Sequence, residues 1–261
     1  MRHHQPTMPE TESALAEDVR RRAVGKHLVV LLDFDGTLCE FEPDPQAVEL
    51  PAVRREVIVR LQRRATVGIV SGRRLHDVRD RVAIEGTIVA GLHGLEIEGL
   101  GERFVHPDLE KAHAAVIEVS ESLHNVAAGL KGAFVEDKGA SVALHFREAD
   151  IAAQRIAVEA FGTVAAPPIE RGLLRLMRGS YVLELLPNID WNKGHAVQWI
   201  LDRVARQKGP VFAVYIGDDV TDQDAFIAVE REGLAIAASD RVTADVHIDG
   251  PPAVERFLRA L

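Results

Sequence analysis

At 261 residues, 47% of them apolar, the chain is long enough for one large domain or two small ones and can build a real core. A net charge of −9 with no basic cluster to offset it argues against a nucleic-acid face. One cysteine, Cys39, excludes a disulfide framework and a structural zinc site, and fits a reducing, cytoplasmic setting.

No apolar run approaches the length of a membrane span, and the polar stretch "MRHHQPTMPETESALAEDVRRR" lacks the apolar centre of a signal peptide. Residues 1 to about 12 read as disordered. Ser13 to Ala23 reads as a helix with Arg20–Arg22 on a solvated face. "HLVVLLDF" (27–34) is a continuous β-branched and leucine run, the pattern of a strand buried on both faces of a parallel sheet. "LPAVRREVIVRLQRR" (50–64) has helical spacing. "ATVGIVSGR" (65–73) is a second buried strand, "RLHDVRDRV" (74–82) a helix and "GTIVAGLHG" (86–94) a third strand. This alternation predicts right-handed βαβ units.

The pattern then changes. Leu109 to Leu130 reads as a helix. "AFVEDKG", "SVALHFR" and "LRLMRGSYVLELLP" alternate apolar and polar residues, as half-solvated antiparallel strands do. A helix from about Asp150 to Phe161 lies among them, and "APPI" (166–169) reads as a loop. From Asn188 the first pattern resumes: a helix in "WNKGHAVQWILDRVARQ", a buried strand in "PVFAVYIGDDV", a helix in "DAFIAVERE", a short strand "GLAIAA" and a closing helix "PPAVERFLRAL". The fold expected is α/β, a doubly wound parallel sheet with a Rossmann-type core and an inserted α+β module. The expected boundaries are an N-terminal extension over 1–24, a core of 25–107 and 188–261, and an insert over 108–187.

Ligands of such sheets sit beyond the carboxyl ends of the strands. Asp33 and Asp35, Ser71, and Asp218 and Asp219 all fall there, and Lys193 opens a following helix. Residues two apart on an extended chain face the same way, so Asp33 and Asp35 can share a pocket. Gly36 allows a sharp turn, and Thr37 offers a hydroxyl and an N–H to an anion. Asp222 and Asp224 add to the second acidic group. So many carboxylates call for a cation, and an all-oxygen set favours Mg²⁺ over zinc. Mg²⁺, Lys193 and Ser71 together could hold a phosphoryl group, which points to phosphoryl transfer with an aspartate as nucleophile and its neighbour as acid and base.

"DFDGTL", "IVSGR", "WNKG" and "IGDDVTDQDAF" resemble, in order, the four motifs of haloacid-dehalogenase-like (HAD-like) phosphatases. "AGLHGLEIEG", "VEDKGASVALHFRE", "YVLELLPNIDWNKG" and "GDDVTDQDAF" resemble the trehalose-6-phosphate phosphatases among them, over nearly the whole chain from Leu28. That resemblance implies a Mg²⁺-dependent hydrolase of trehalose 6-phosphate, the last step of trehalose biosynthesis. It makes Asp33 the nucleophile, Asp35 the acid and base, and Lys193 a catalytic cation. The metal would lie on Asp33, the Asp35 carbonyl and Asp218, with Asp219 and Asp222 as metal-shell or positioning residues. Thr37, Ser71, Gly72 and Lys193 would hold the phosphate. The insert would be a mobile cap contacting sugar through Glu136, Lys138, His145, Arg147 and Glu184. Arg73 would also contact substrate, and His93 would sit near the hinge or the substrate phosphate.

The chain departs from the family at Leu186, where a basic residue is common, with Arg178 a candidate substitute. It has Gln223 where glutamate is usual. Glu136, Lys138 and Arg147 also read as solvent-side strand residues, His145 as a surface histidine, and Trp191 and Trp199 as packing. The alternatives are a related phosphatase for sucrose 6-phosphate or mannosyl-3-phosphoglycerate, or a non-catalytic sugar-phosphate sensor. The partner expected is a small-molecule sugar phosphate, with no nucleic acid and no membrane, and the chain is expected to be a monomer.

Overall fold

The computed structural model describes residues 12–42, 45–137, 139–231 and 233–261. The reading of residues 1–11 as disordered falls outside that range. Contacts divide the chain into two compact units, one of residues up to 104 with 191–261, the other of residues 105–190. Among the described residues no helix is long and apolar enough to cross a membrane.

The first unit is built on β1 (His27–Leu32), whose five residues after His27 are all buried. Successive side chains of a strand point to opposite faces, so β1 feeds two cores. Val30 and Leu32 join α1 (Glu12–Arg22), α2 (Ala52–Leu61), α3 (Leu75–Val82) and α8 (Gly250–Ala260) on one side. Val29 and Leu31 join α6 (Lys193–Lys208) and α7 (Gln223–Val229) on the other. Each such buried side chain contributes about 2 kcal/mol, so a slip by one residue would exchange the two cores.

Parallel partners flank β1: β2 (Ala65–Val70) and β3 (Ile88–Gly91) on one side, β10 (Val211–Gly217), β11 (Gly233–Ala237) and β12 (Val246–His247) on the other. The chain order therefore reverses between β1 and β10, which is where a doubly wound sheet opens a crevice. The register is tight there: Leu32 lies opposite both Ile216 and Ile69. The doubly wound α/β expectation describes this sheet. It did not include β12, nor the hairpin β4 (Glu96–Gly99) and β5 (Glu102–Val105) that adds two strands beyond β3. The hairpin turns through Leu100 and Gly101, both at positive φ, and a leucine there gives no sequence signal.

The second unit is a four-stranded antiparallel sheet in the order β6 (Phe134–Asp137), β7 (Val142–His145), β9 (Val182–Pro187) and β8 (Leu174–Gly179). Val142, Leu144, Leu174, Leu183 and Leu185 pack one face against α4 (Leu109–Ala128) and α5 (Ile151–Glu170). Asp150 caps α5 by accepting from the Ala153 N–H at 2.8 Å. The reading of 166–169 as a loop is corrected: α5 runs through Pro167 and Pro168 to Glu170. Proline φ suits a helix, and these two fall in its last turn. Their carbonyls still accept from the N–H groups of Arg171 and Leu173, and Ala165 and Pro168 are buried in the core.

Candidate active site

Asp33 is the first residue beyond β1, and its N–H continues the ladder to the Ile216 carbonyl at 2.9 Å. Asp218 is the first residue beyond the neighbouring β10. The chain turns tightly just after Asp33, over residues 34–39, against Asp218. Gly36 sits at φ +80°, and a Cβ there would lie 2.3 Å from the Asp218 carboxylate, so only glycine fits.

Asp33, Asp218 and Asp222 offer oxygens within 4.8 Å of one another, all buried. The buried Lys193 ammonium lies 2.9 Å from Asp33 Oδ1 and donates to Asp222 Oδ1 at 2.7 Å. Asn192 caps α6 and accepts from the His195 N–H at 3.1 Å, so Lys193 starts the helix with its side chain among the acids. Gly194 lets α6 approach α7, because a Cβ there would meet the Asp224 carbonyl at 2.5 Å.

Asp222 is the fixed point of the cluster. Its Oδ1 accepts from Lys193 and from Tyr215 OH at 2.7 Å each, and its Oδ2 from the Asp218 and Asp219 N–H groups at 3.0 Å each. All four lone-pair positions of that carboxylate are taken. Burial pushes the Asp33 carboxyl well up from its ordinary range, and the charges of Asp222 and Asp218 push it further, against the pull of Lys193. Asp218 is raised first by burial, with Thr37 opposing. Burial works against the Lys193 charge, but Asp33 and Asp222 outweigh it and hold the ammonium protonated.

The other sequence candidates surround this centre. Buried Thr37 donates to Asp218 Oδ1 at 3.0 Å, so its hydroxyl faces a carboxylate. Asp35 is gripped by the Arg73 guanidinium fork, with two bonds of 2.7 Å. Arg73 also donates to Asp77 at 3.1 Å and covers the Phe34 ring. Arg73, expected to contact substrate, here holds the Asp35 carboxylate. Buried Ser71 accepts from the Arg73 N–H at 3.1 Å. The Gly72 Cα faces His93, where a Cβ would come 2.9 Å from the imidazole. His93 holds a left-handed conformation, φ 58°, and its N–H donates to the Ser71 carbonyl at 2.9 Å. Half-buried Asp219 stands outside the three-acid group.

In the insert, Glu136, His145 and Glu184 share the sheet face opposite the helices. Glu136 pairs with His145 at 3.0 Å, and Ser141 donates to Glu184 at 2.6 Å. Arg147 is beyond the strand, over the Tyr181 ring. Lys138 lies outside the described residues. Arg178 cannot replace a basic side chain at Leu186, because it shares the opposite face with Leu174 and Leu176; Arg175 is the residue directly across from Leu186. Trp191 and Trp199 both pack on Phe104.

Sequence reasoning missed Tyr215, Ser239 and Arg241. The Ser239 hydroxyl donates to the Asp218 carbonyl, and Arg241 pairs with its carboxylate. Tyr215 carried a signal, since a phenol inside an apolar strand needs a polar partner. Arg241, in an irregular segment, carried none. The oxygens of Asp33 and Asp218 suit a hard divalent cation, whereas Asp222 has no free lone pair to give one.

The trehalose-phosphatase family model matches residues 31–249, which span Asp33, Ser71, Lys193 and Asp218. A trehalose-phosphate phosphatase of Mycolicibacterium paratuberculosis is 34% identical over 97% of this chain, and one of Mycobacterium marinum is 36% identical over 87%. The chain spans 66% and 60% of the length of these two relatives. The C-terminal domain of the Candida albicans trehalose-6-phosphate phosphatase superposes with a TM-score of 0.74 at 18% identity, covering 97% of each chain. A match from the first strand to the last helix's approach, over both units, leaves one conclusion: the chain belongs to the trehalose-phosphatase family.

Proposed function

We propose that the protein hydrolyses trehalose 6-phosphate to trehalose and inorganic phosphate, with Mg²⁺ as cofactor and Asp33 as nucleophile. One observation carries the reading: a buried carboxylate at the tip of the central strand, 2.9 Å from a buried ammonium and within reach of two more acids.

An Asp33 oxygen attacks phosphorus in line with the sugar 6-oxygen. The bond from phosphorus to that oxygen breaks, and Asp35 gives the departing oxygen a proton. Asp35 must release at least one of its Arg73 bonds to do so. It then takes a proton from water, whose oxygen attacks phosphorus. The bond to Asp33 breaks, phosphate leaves and both aspartates are restored. Lys193 fixes the Asp33 carboxylate and carries positive charge into the site; Ser71, Gly72 and the Thr37 N–H would hold the phosphoryl oxygens. A Mg²⁺ ion on Asp33, the Asp35 carbonyl and Asp218 would offset the repulsion between carboxylates and phosphate. Glu136, His145 and Glu184 would read sugar hydroxyls by hydrogen bonding, a mode that discriminates strongly against substrates lacking them.

The test is phosphate release from a panel with and without Mg²⁺: trehalose 6-phosphate, glucose 6-phosphate, sucrose 6-phosphate and mannosyl-3-phosphoglycerate. The expected result is a Mg²⁺-dependent preference for trehalose 6-phosphate of at least about 100-fold. Equal rates across the panel would sink the substrate assignment.

A further inference from the structure

Asp218 is fully buried, yet both of its carboxylate oxygens are engaged: Thr37 donates to Oδ1 and Arg241 pairs with Oδ2. The two cations around the acids differ in kind. Lys193 is 2% exposed and clamped between Asp33 and Asp222. The Arg241 side chain is 52% exposed and reaches in from the segment between β11 and β12, where its N–H donates to Ser239 Oγ at 3.2 Å. Its guanidinium lies 5.0 Å from the centre of the Phe41 ring, itself 60% exposed. Arg241 can leave Asp218 for water while keeping its contact with Phe41, because its own side chain is half exposed; Lys193, buried between two acids, cannot.

Charge gives the departure a purpose. Asp33, Asp218 and Asp222 with Lys193 sum to a formal −2, which one divalent ion cancels. Arg241 cancels half of it and holds an oxygen that such an ion would use. We propose that Arg241 is the displaceable counter-cation of this site: it neutralises Asp218 when no divalent ion is bound and withdraws to the Phe41 side when one binds. Metal affinity is then lowered by the fraction of time that Arg241 occupies Asp218. The inference rests on the reading of Asp33 and Asp218 as ligands of a divalent ion.

The test compares the full chain with Arg241→Gln, which keeps a polar side chain and removes the charge. Mg²⁺ binding is measured by titration calorimetry, and melting is followed with and without Mg²⁺. The variant should bind Mg²⁺ about three- to ten-fold more tightly. Without metal it should melt below the wild type, because a buried carboxylate has lost its partner. In saturating Mg²⁺ the two melting temperatures should converge, whereas a merely structural arginine would leave the gap unchanged. Equal or weaker Mg²⁺ binding by the variant, with the wild type binding normally, overturns this inference alone. A wild type that binds no divalent ion overturns it together with the metal reading.

Discussion

The Asp222 carboxylate depends on four donors, and the Tyr215 phenol can be removed without disturbing the other three. Tyr215→Phe leaves a buried, charged acceptor one bond short, which costs about 1.5–3 kcal/mol of stability. Urea unfolding should show a lower midpoint with an unchanged slope. An unchanged midpoint would contradict the bond. Cys39 gives a second test at this scale. Burial, aided by the Asp35 charge, pushes its thiol up to about 12. The folded protein should resist alkylation at pH 8 and react once unfolded. The sign for stability follows: with the folded thiol raised above its ordinary 9.0, its contribution is complete below pH 9 and is lost as pH rises toward 12. The acids were readable in the sequence because charged residues at the end of buried runs need a reason, and Lys193 because it opens the helix in "WNKG". The division among them was not. Nothing in "GDDVTD" says that Asp222 is saturated by hydrogen bonds while Asp218 is paired with Arg241, because Lys193, Tyr215 and Arg241 all come from other segments.

Among the elements, the turn that carries Asp33 and Asp35 is anchored from α2. Buried Arg54 donates to the Leu38 carbonyl at 2.9 Å and pairs with Glu40 at 2.6 Å. Arg54→Ala should cost about 2 kcal/mol, mostly from the buried carbonyl and lost packing, since Glu40 is half in water. That corresponds to a fall in Tm of about 4–8 °C. The hydrogen bond from Arg54 also holds the Glu40 carboxyl below its ordinary 4.5. The stability it gives is present above that value and is lost as pH falls through the lowered one, so the deficit of the variant should narrow in acid. A deficit constant with pH would remove Glu40 from the account. Strands buried on both faces were readable as apolar runs, and the Asp150 cap marked the start of α5. Its end was not readable, because two prolines, ordinarily breakers, sit in its last turn. The placement of Arg178 failed for a related reason: strand parity assigns it to the helix-covered face, and that parity is visible only once the β8–β9 register is known.

At the scale of the molecule, among the described residues each unit has a core made of its own residues. Leu123, Leu144, Phe161 and Leu185 lie in the core of the insert, and the two cores around the eight-stranded sheet take nothing from it. The segment 105–190, made alone, should therefore fold, giving a cooperative thermal transition by circular dichroism. A featureless melt would contradict that independence. The change from buried runs to apolar–polar alternation near residue 109 made the insert visible in the sequence, because a two-sided parallel sheet and a one-sided antiparallel sheet bury different periodicities. In the proposed function this architecture meets chemistry at the tip of β1, where Asp33 would be the nucleophile for trehalose 6-phosphate. The most direct measurement is the turnover of Asp33→Asn on that substrate with Mg²⁺, with melting followed in parallel. A loss of more than about 10³-fold is expected, with the fold retained. Turnover within about tenfold of the wild type by a folded variant would contradict it.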